Sequence, residues 1–586
     1  GFFLQSGFND GDAINYSFLL KDVSGNQSGF NAGFFTVPGL SSLDKYLLET
    51  NNLMLPVNNR GVLADVNIDG QSGLQFGESI ILFSGGFFIS GKNGSTEWAA
   101  GQATSPLVEN FYPGPVNSSP DDIRNSLFII KESDPDFGLS WQQYRFAVLN
   151  GADFYDGNND GIYDPVDLNG NGVWDENEDR PDMFGDETIW CVYNDGVPGY
   201  QRLRYAGVEP QGIDIQQTIF AINESVNPVH NMLFVRYRII NTGTIAENFE
   251  DVYFTVWSDP DIGDYTNDLV GSDTLLSLGY CYNDSLDNLY GSNPPAIGTA
   301  ILQGPAVYIP GETYLDNNGN GIYEPGIDTP LDTAIVNNGL IGTNSFPGAK
   351  NLGMTSFIYT QCGNPILNEP NNVQQARYFM TGKNLLGQYT DPCTWLGGVV
   401  YGVPCADVNP IYHYSGDPVN SFGWINNYPC DQRMWTNVGP FTLPQNEKVD
   451  IWTAYIVGRG NDNLNSVIKL KEYTVAANNF YASNFTQLPT DVKDEKLALR
   501  NYELYQNYPN PFNPTTTLRY SIPKDAVVTL KIYNILGQEV AALVNEYQKA
   551  NDYQIQFDSK GLASGVYIYR LQVNDFSQSK KMILLK

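Results

Sequence analysis

At 586 residues the chain is long enough for several domains and a large buried surface. Hydrophobic residues make up 42% and aromatics 13%, which excludes a disordered chain. A formal net charge of -33, from 65 Asp and Glu against 32 Lys and Arg, repels nucleic acid and anionic lipid and excludes both as partners.

No run of about eighteen apolar residues occurs, so no membrane span is expected. Gly 57 and Tyr 37, with abundant Asn and Thr, fit a turn-rich β protein of the extracellular space. The chain begins at Gly1 with no Met and no charged-then-apolar leader, as expected of a mature exported protein. Six cysteines (191, 281, 362, 393, 405 and 430) without CxxC spacing permit disulfides in an oxidising compartment. Cys393 with Cys405 is the local pairing their spacing allows; the full connectivity is not readable.

Residues 1–143 are expected to form an N-terminal β-rich domain of short strands and Gly/Asn/Ser turns. Gly1-Phe2-Phe3, Gly33-Phe34-Phe35 and Gly86-Phe87-Phe88 share a pattern that suits strand ends packed under a neighbour. Asp65-Val-Asn67-Ile-Asp69-Gly70 opens like a calcium loop but lacks later acids, which leaves a cation site and an Asx turn equally open.

Residues 144–200 read as a calcium-loop insertion. From Asp156, residues Asn158, Asp160, Asp164 and Asp167 fall at positions three, five, nine and twelve, with Gly161 at the turn and the Ile162 carbonyl at seven. A second loop starts on the same Asp167, with Asn169, Asn171, Gly172, the Val173 carbonyl, Asp175 and Glu178 in the corresponding places. A hard dication takes six to eight oxygens, and alternate residues on a tightly turned backbone point theirs inward. The alternative is a solvated acidic turn. Sharing an acid leaves no room for EF-hand helices, and the stretch resembles the chained loops of thrombospondin type 3 repeats or dockerins. That resemblance implies calcium that stiffens a loop.

Residues 201–485 are expected to form a β-sandwich with long cysteine-containing loops. Met232 to Asn241 alternates, with Leu233, Val235, Tyr237 and Ile239 on one face, and Val252 to Trp257 is expected beside it as an antiparallel neighbour. Asp259, Asp261, Asp264 and Asp268 crowd the next loop; the first three are candidate cation ligands, with a solvated turn as the alternative. A third calcium loop is expected from Asp316, Asn318, Asn320, the Ile322 carbonyl, Glu324 and Asp328, the last slightly beyond position twelve. Residues 338–444 pattern as loops. Asn463 to about Tyr481 is the one expected helix, capped by Asn461 or Asp462.

Residues 486–500 read as a polar linker and 501–586 as a final domain. There, YPNPFNPTTTLRYSIP, VTLKIYNILGQEV, GLASGVYIYRLQ and KKMILLK appear in order. Together they resemble the type A C-terminal sorting domain of the type IX secretion system of Bacteroidota-related bacteria. The residues that match its pattern are Pro509, Pro511, Phe512, Pro514, Gly537, Gly565, Tyr567, Lys580 and Lys581. The resemblance implies an Ig-like sandwich, contact with the secretion machinery and export to the outer surface. The family's sorting domain is usually removed; its presence here is taken as retention. The preceding residues resemble, more loosely, uncharacterised cargo with such tails. Thr274, Ser285 and Thr333, each after an Asp and before an apolar residue, also fit the O-glycosylation signal of such bacteria.

Only His230 and His413 exist, and no HExxH, GxSxG, phosphate loop or dinucleotide fingerprint occurs. The expected fold class is therefore all-β: multi-domain sandwiches with an Ig-like C-terminal domain, calcium-loop insertions and one helix near 463–481. The expected function is non-enzymatic: a secreted, calcium-stabilised structural protein, a subunit of a filament, sheath or surface layer. Its partners would be copies of itself or other surface proteins. A monomeric adhesin binding glycans, and then a secreted hydrolase acting through a carboxylate pair, are the alternatives.

Overall fold

The computed structural model describes residues 13–21, 27–36, 43–77, 79–225, 228–361 and 363–489. In the C-terminal part it describes 503–507, 509–522, 526–535, 538–548, 551–573 and 576–585. Gly1-Phe2-Phe3, Cys362 and Gly537 lie outside these residues, as do the side chains of Gly33-Phe34-Phe35.

Residues 1–488 form one unit and 489–586 a second. The expected borders at 143 and 200 do not separate domains. Strand Ser84–Asn93 pairs with Asn248–Asp259 across both of those borders, and Glu187–Asn194 pairs with Ile213–Ala221 across the second. Turn-rich composition marks where strands stop, but not which strand each one joins.

The first unit is built on two antiparallel sheets. The larger runs in the order Tyr112–Pro113, Glu187–Asn194, Ile213–Ala221, Met232–Asn241, Lys448–Gly458, Ala296–Gln303, Leu278–Asn283, Asp268–Asp273. The smaller runs Ser356–Gln361, Gln432–Pro444, Asn248–Asp259, Ser84–Asn93, Thr96–Ala103, Val108–Glu109. Met232–Asn241 and Asn248–Asp259 are thus not paired neighbours; the connector crosses from one sheet to the other.

Alternation decides the layers. Leu233, Val235, Tyr237 and Ile239 join the core between the sheets, where Phe87 stacks on Phe254 at 5.5 Å and lies 5.7 Å from Tyr237. Each such buried side chain contributes about 1.5–3 kcal/mol. Gly86 permits the close pairing of this strand, because a Cβ there would run into the Gln102 carbonyl. Phe234 faces the other way, into a second core with Phe220, Trp452, Leu470 and Phe480.

That second core is covered by the helix Asn463–Ala482. Its start is set by Asp462, whose Oδ1 accepts from the Asn465 amide at 2.7 Å. Two further helices, Leu139–Leu149 and Val373–Met380, were not expected. Trp141, Tyr144 and Ala147 recur every three residues on the first and pack with Phe128, Tyr163 and Trp190. This small core seats the insertion that carries the first two loops.

The C-terminal unit is a sandwich of three and four antiparallel strands. One sheet holds Glu503–Leu504, Thr515–Ile522 and Asn551–Asp558; the other holds Glu539–Gln548, Ala526–Asn534, Gly565–Val573 and Phe576–Leu584. It has its own core, including Phe512, Tyr520, Leu530, Tyr569 and Met582. Cys393 and Cys405 are bonded, as their spacing allowed, while Cys191 and Cys281 are buried thiols within strands. Among the described residues no helix is long and apolar enough to cross a membrane.

Candidate functional site

The second and third loops share one hydrogen-bond plan, and the first follows it except at position nine, where Asp164 pairs with Arg145. In the second, Asp167 accepts from the amides of Gly170 (2.6 Å), Asn171 (3.2 Å) and Gly172 (2.7 Å). Asn169 and Asn171 each accept from an amide two residues on. Both also donate to Asp175, which gathers the oxygen-bearing side chains on one side of the turn. The third loop repeats this. Asp316 accepts from Gly319, Asn320 and Gly321, and Asn318 and Asn320 both donate to Glu324. In the first loop, Asp156 accepts from Asp160 (3.2 Å) and Gly161 (2.8 Å), and Asn158 from Asp160. These amide donors hold Asp167 and Asp316 below the usual carboxylate range, Gly172 and Gly321 contributing most.

Each loop is closed by an acid that accepts from the amides at positions two and nine. Glu178 does so for Leu168 (2.6 Å) and Asp175 (2.9 Å), and Asp328 for Asn317 (2.9 Å) and Glu324 (2.8 Å). In the first loop this acid is Asp179, which accepts from Gly157 (3.1 Å) and Asp164 (2.8 Å). In its hydrogen bonds, then, the first loop is closed by Asp179 rather than by Asp167, with the second loop nested inside it. Gly157 allows the nesting, since a Cβ there would strike the backbone of Glu178. Asp179 is 1% exposed; burial raises its pKa, and Asp156 and Asp160 push it further in the same direction. Its only sequence signal is an acid directly after Glu178.

The donor set is all oxygen, carboxylates with amide carbonyls, which suits a hard dication. The residues at position seven, Ile162, Val173 and Ile322, are 65%, 59% and 65% exposed, apolar side chains turned to water on the same turn in each loop. The insertion is tied to the larger sheet at Asp153, which pairs with Arg238 and with Lys448 at 2.8 Å; Arg238 also binds Asp450 at 2.7 Å. Burial opposes the charge on Asp153, but Arg238 and Lys448 outweigh it and hold its pKa well below the usual range.

The weaker candidates separate. Asp65 accepts from the Thr104 hydroxyl and Asn67 from the Gly70 amide, an Asx turn, and Asp69 joins neither. Asp264 is occupied elsewhere: it accepts from Thr266 and from Asn288, capping the short helix Tyr265–Asn267. Asp259 and Asp261 instead meet Asp431, a residue the sequence reading missed; one carboxylate oxygen from each lies within 4.8 Å of the others. Asp259 is 2% exposed. Burial pushes it up to about 7 against Arg433 and Ser105. Burial, with Asp431 opposite, pushes Asp261 to about 6. Thr274, Ser285 and Thr333 are all exposed. His413 is fully buried against Tyr359 and Trp424, its pKa lowered to about 3 by burial, a neutral core residue.

In the C-terminal unit Phe512 is 2% exposed and lies against the last strand, its amide donating to Ile583 at 2.9 Å. Pro509, Pro511 and Pro514 flank it at the surface, and the Tyr567 hydroxyl donates to Ala563 at 2.8 Å. Gly565 opens one strand, and Lys580 and Lys581 sit in the strand paired with it. Residues 506–585 match the family described as "Secretion system C-terminal sorting domain". The C-terminal unit is a sorting domain. Such a tail marks a type IX secretion cargo, exported to the cell surface or the extracellular space.

No curated protein matches the chain. Among solved structures, a polysaccharide lyase is similar over 93% of this chain and 47% of its own length, at 8% identity and a TM-score of 0.27. Dimeric latent PorU from Porphyromonas gingivalis is similar over 97% of this chain and 34% of its own, at 10% identity and a TM-score of 0.14. The chain spans less than half the length of either, and neither likeness bears on its activity.

Proposed function

We propose that the exported first unit is a calcium-stabilised structural protein of the cell surface or extracellular matrix, working as a subunit of an assembly. The observation that carries this reading is the threefold recurrence of one oxygen-donor plan, each loop closed by an acid at the same two amides. Calcium held there would neutralise carboxylates that otherwise repel and would brace the turn against the small core beneath it. We assign no catalytic role. Electron microscopy of the purified full chain with and without chelator tests the reading. Regular polymers that loosen on chelation support it, and dispersed particles indifferent to chelation contradict it.

A second reading, a glycan-binding surface protein, is favoured by one cavity of about 210 Å³. It is lined by Lys92, Glu97, Asp251, Tyr253, Arg377 and Tyr378 among others, planar polar groups beside tyrosine rings. Binding of neutral polysaccharide by dispersed particles would favour it over the first.

A further inference from the structure

We infer that Asp259, Asp261 and Asp431 hold one divalent, oxygen-seeking cation, at a site separate from the three loops. The residues come from two distant parts of the chain: the end of strand Asn248–Asp259 with the turn after it, and the residue before strand Gln432–Pro444. An ion at 2.3–2.6 Å from each ligand places opposite oxygens up to about 5 Å apart, so oxygens within 4.8 Å of one another suit calcium as they stand.

Two features set this cluster apart from a solvated acidic turn. The first is an orphaned atom: Asp259 is 2% exposed, and its Oδ1 is buried with no hydrogen-bond partner, although its Oδ2 accepts from Ser105 at 2.7 Å. A buried carboxylate oxygen left unpaired is costly unless a cation or proton meets it. The second is charge. Among the described residues Arg433 is the base against the cluster, its Nε 3.0 Å from Asp259 and its Nη2 3.4 Å from Asp431, and it also leans on buried Glu369 at 3.7 Å. Three carboxylates against one guanidinium leave two negative charges in excess, the charge a dication carries. The Asp261 carboxylate accepts no hydrogen bond among the described residues and faces Asp431 as a like charge.

Calcium bound to the full chain, measured by atomic emission after equilibrium dialysis, tests the site. Three proteins are compared: the parent; the double variant Asp261→Asn, Asp431→Asn; and a loop variant with Asp156→Asn, Asp167→Asn and Asp316→Asn. The double variant is expected to bind one equivalent fewer than the parent, and the loop variant to keep that equivalent. Equal binding by parent and double variant overturns the proposal, as does complete loss of calcium in the loop variant. A loop variant that binds as much as the parent, beside a double variant that loses one equivalent, sinks the loop reading and leaves this site standing. Should the double variant fail to fold by circular dichroism, crystals of the parent soaked in Mn²⁺ decide: an anomalous peak among the three carboxylates supports the site, and its absence overturns it.

Discussion

Asp179 and Asp167 are both loop acids, yet they divide the insertion's work. Asp179 closes the outer loop at Gly157 and Asp164, whereas Asp167 begins the inner one. Asp179→Asn is therefore expected to remove calcium from the outer loop alone, and Asp167→Asn from the inner loop alone. Isothermal titration would show one class of sites lost in each variant; loss of both outer and inner sites in Asp167→Asn would restore the shared-acid arrangement. Asp214 supports a separate prediction. Burial pushes it up to about 7, with Asp195 adding to the shift, while its Oδ1 accepts from the Val116 amide at 2.7 Å. A folded-state pKa above the unfolded value of 3.8 means that the folded chain holds the proton more tightly. Its stabilising contribution is then full below about pH 4 and is lost as pH rises toward 7. Asp214→Asn keeps the acceptor and removes the charge. It should raise stability at pH 8 by on the order of 3 kcal/mol and leave it unchanged at pH 4, read from urea midpoints.

At the scale of elements, the helix Asn463–Ala482 lies over the aromatic face of the larger sheet and is started by the Asp462 carboxylate. Asp462→Ala should cost about 1 kcal/mol and lower the melting temperature of the first unit. This helix was legible because twenty residues carry enough helical period and a cap to be distinguished from strand. Helices Leu139–Leu149 and Val373–Met380 were not, because eight to eleven residues carry too few turns for a helical period to stand out, and the second lies in a stretch that patterns as loops. Met232–Asn241 was legible to the residue, since its two faces serve two different cores. Its relation to Asn248–Asp259 was not: alternation tells which side chains share a face, but not which sheet a strand enters. The same limit hid Asp431, brought to Asp259 and Asp261 only by tertiary pairing. The loops were legible in their first nine positions, where spacing along a turn decides geometry. Their closing acid was misassigned where a nested loop separates Asp179 from Asp164.

Across the whole molecule, two units with separate cores share one chain, one of them a sorting domain and the other carrying all three loops. The outer edge of strand Asp268–Asp273 is covered: the Ser272 amide donates to Tyr414, the Val270 amide to Gln432, and the Cys430 amide to the Asp268 carbonyl. Strand addition at that edge is blocked. On the proposed reading, calcium would bind the folded first unit and raise its melting temperature by mass action, leaving the sorting domain unaffected. Scanning calorimetry of the full chain in calcium and then in excess chelator tests this most directly. Two transitions are predicted, with only the one belonging to residues 1–488 falling on chelation. Identical traces in the two conditions would contradict the account.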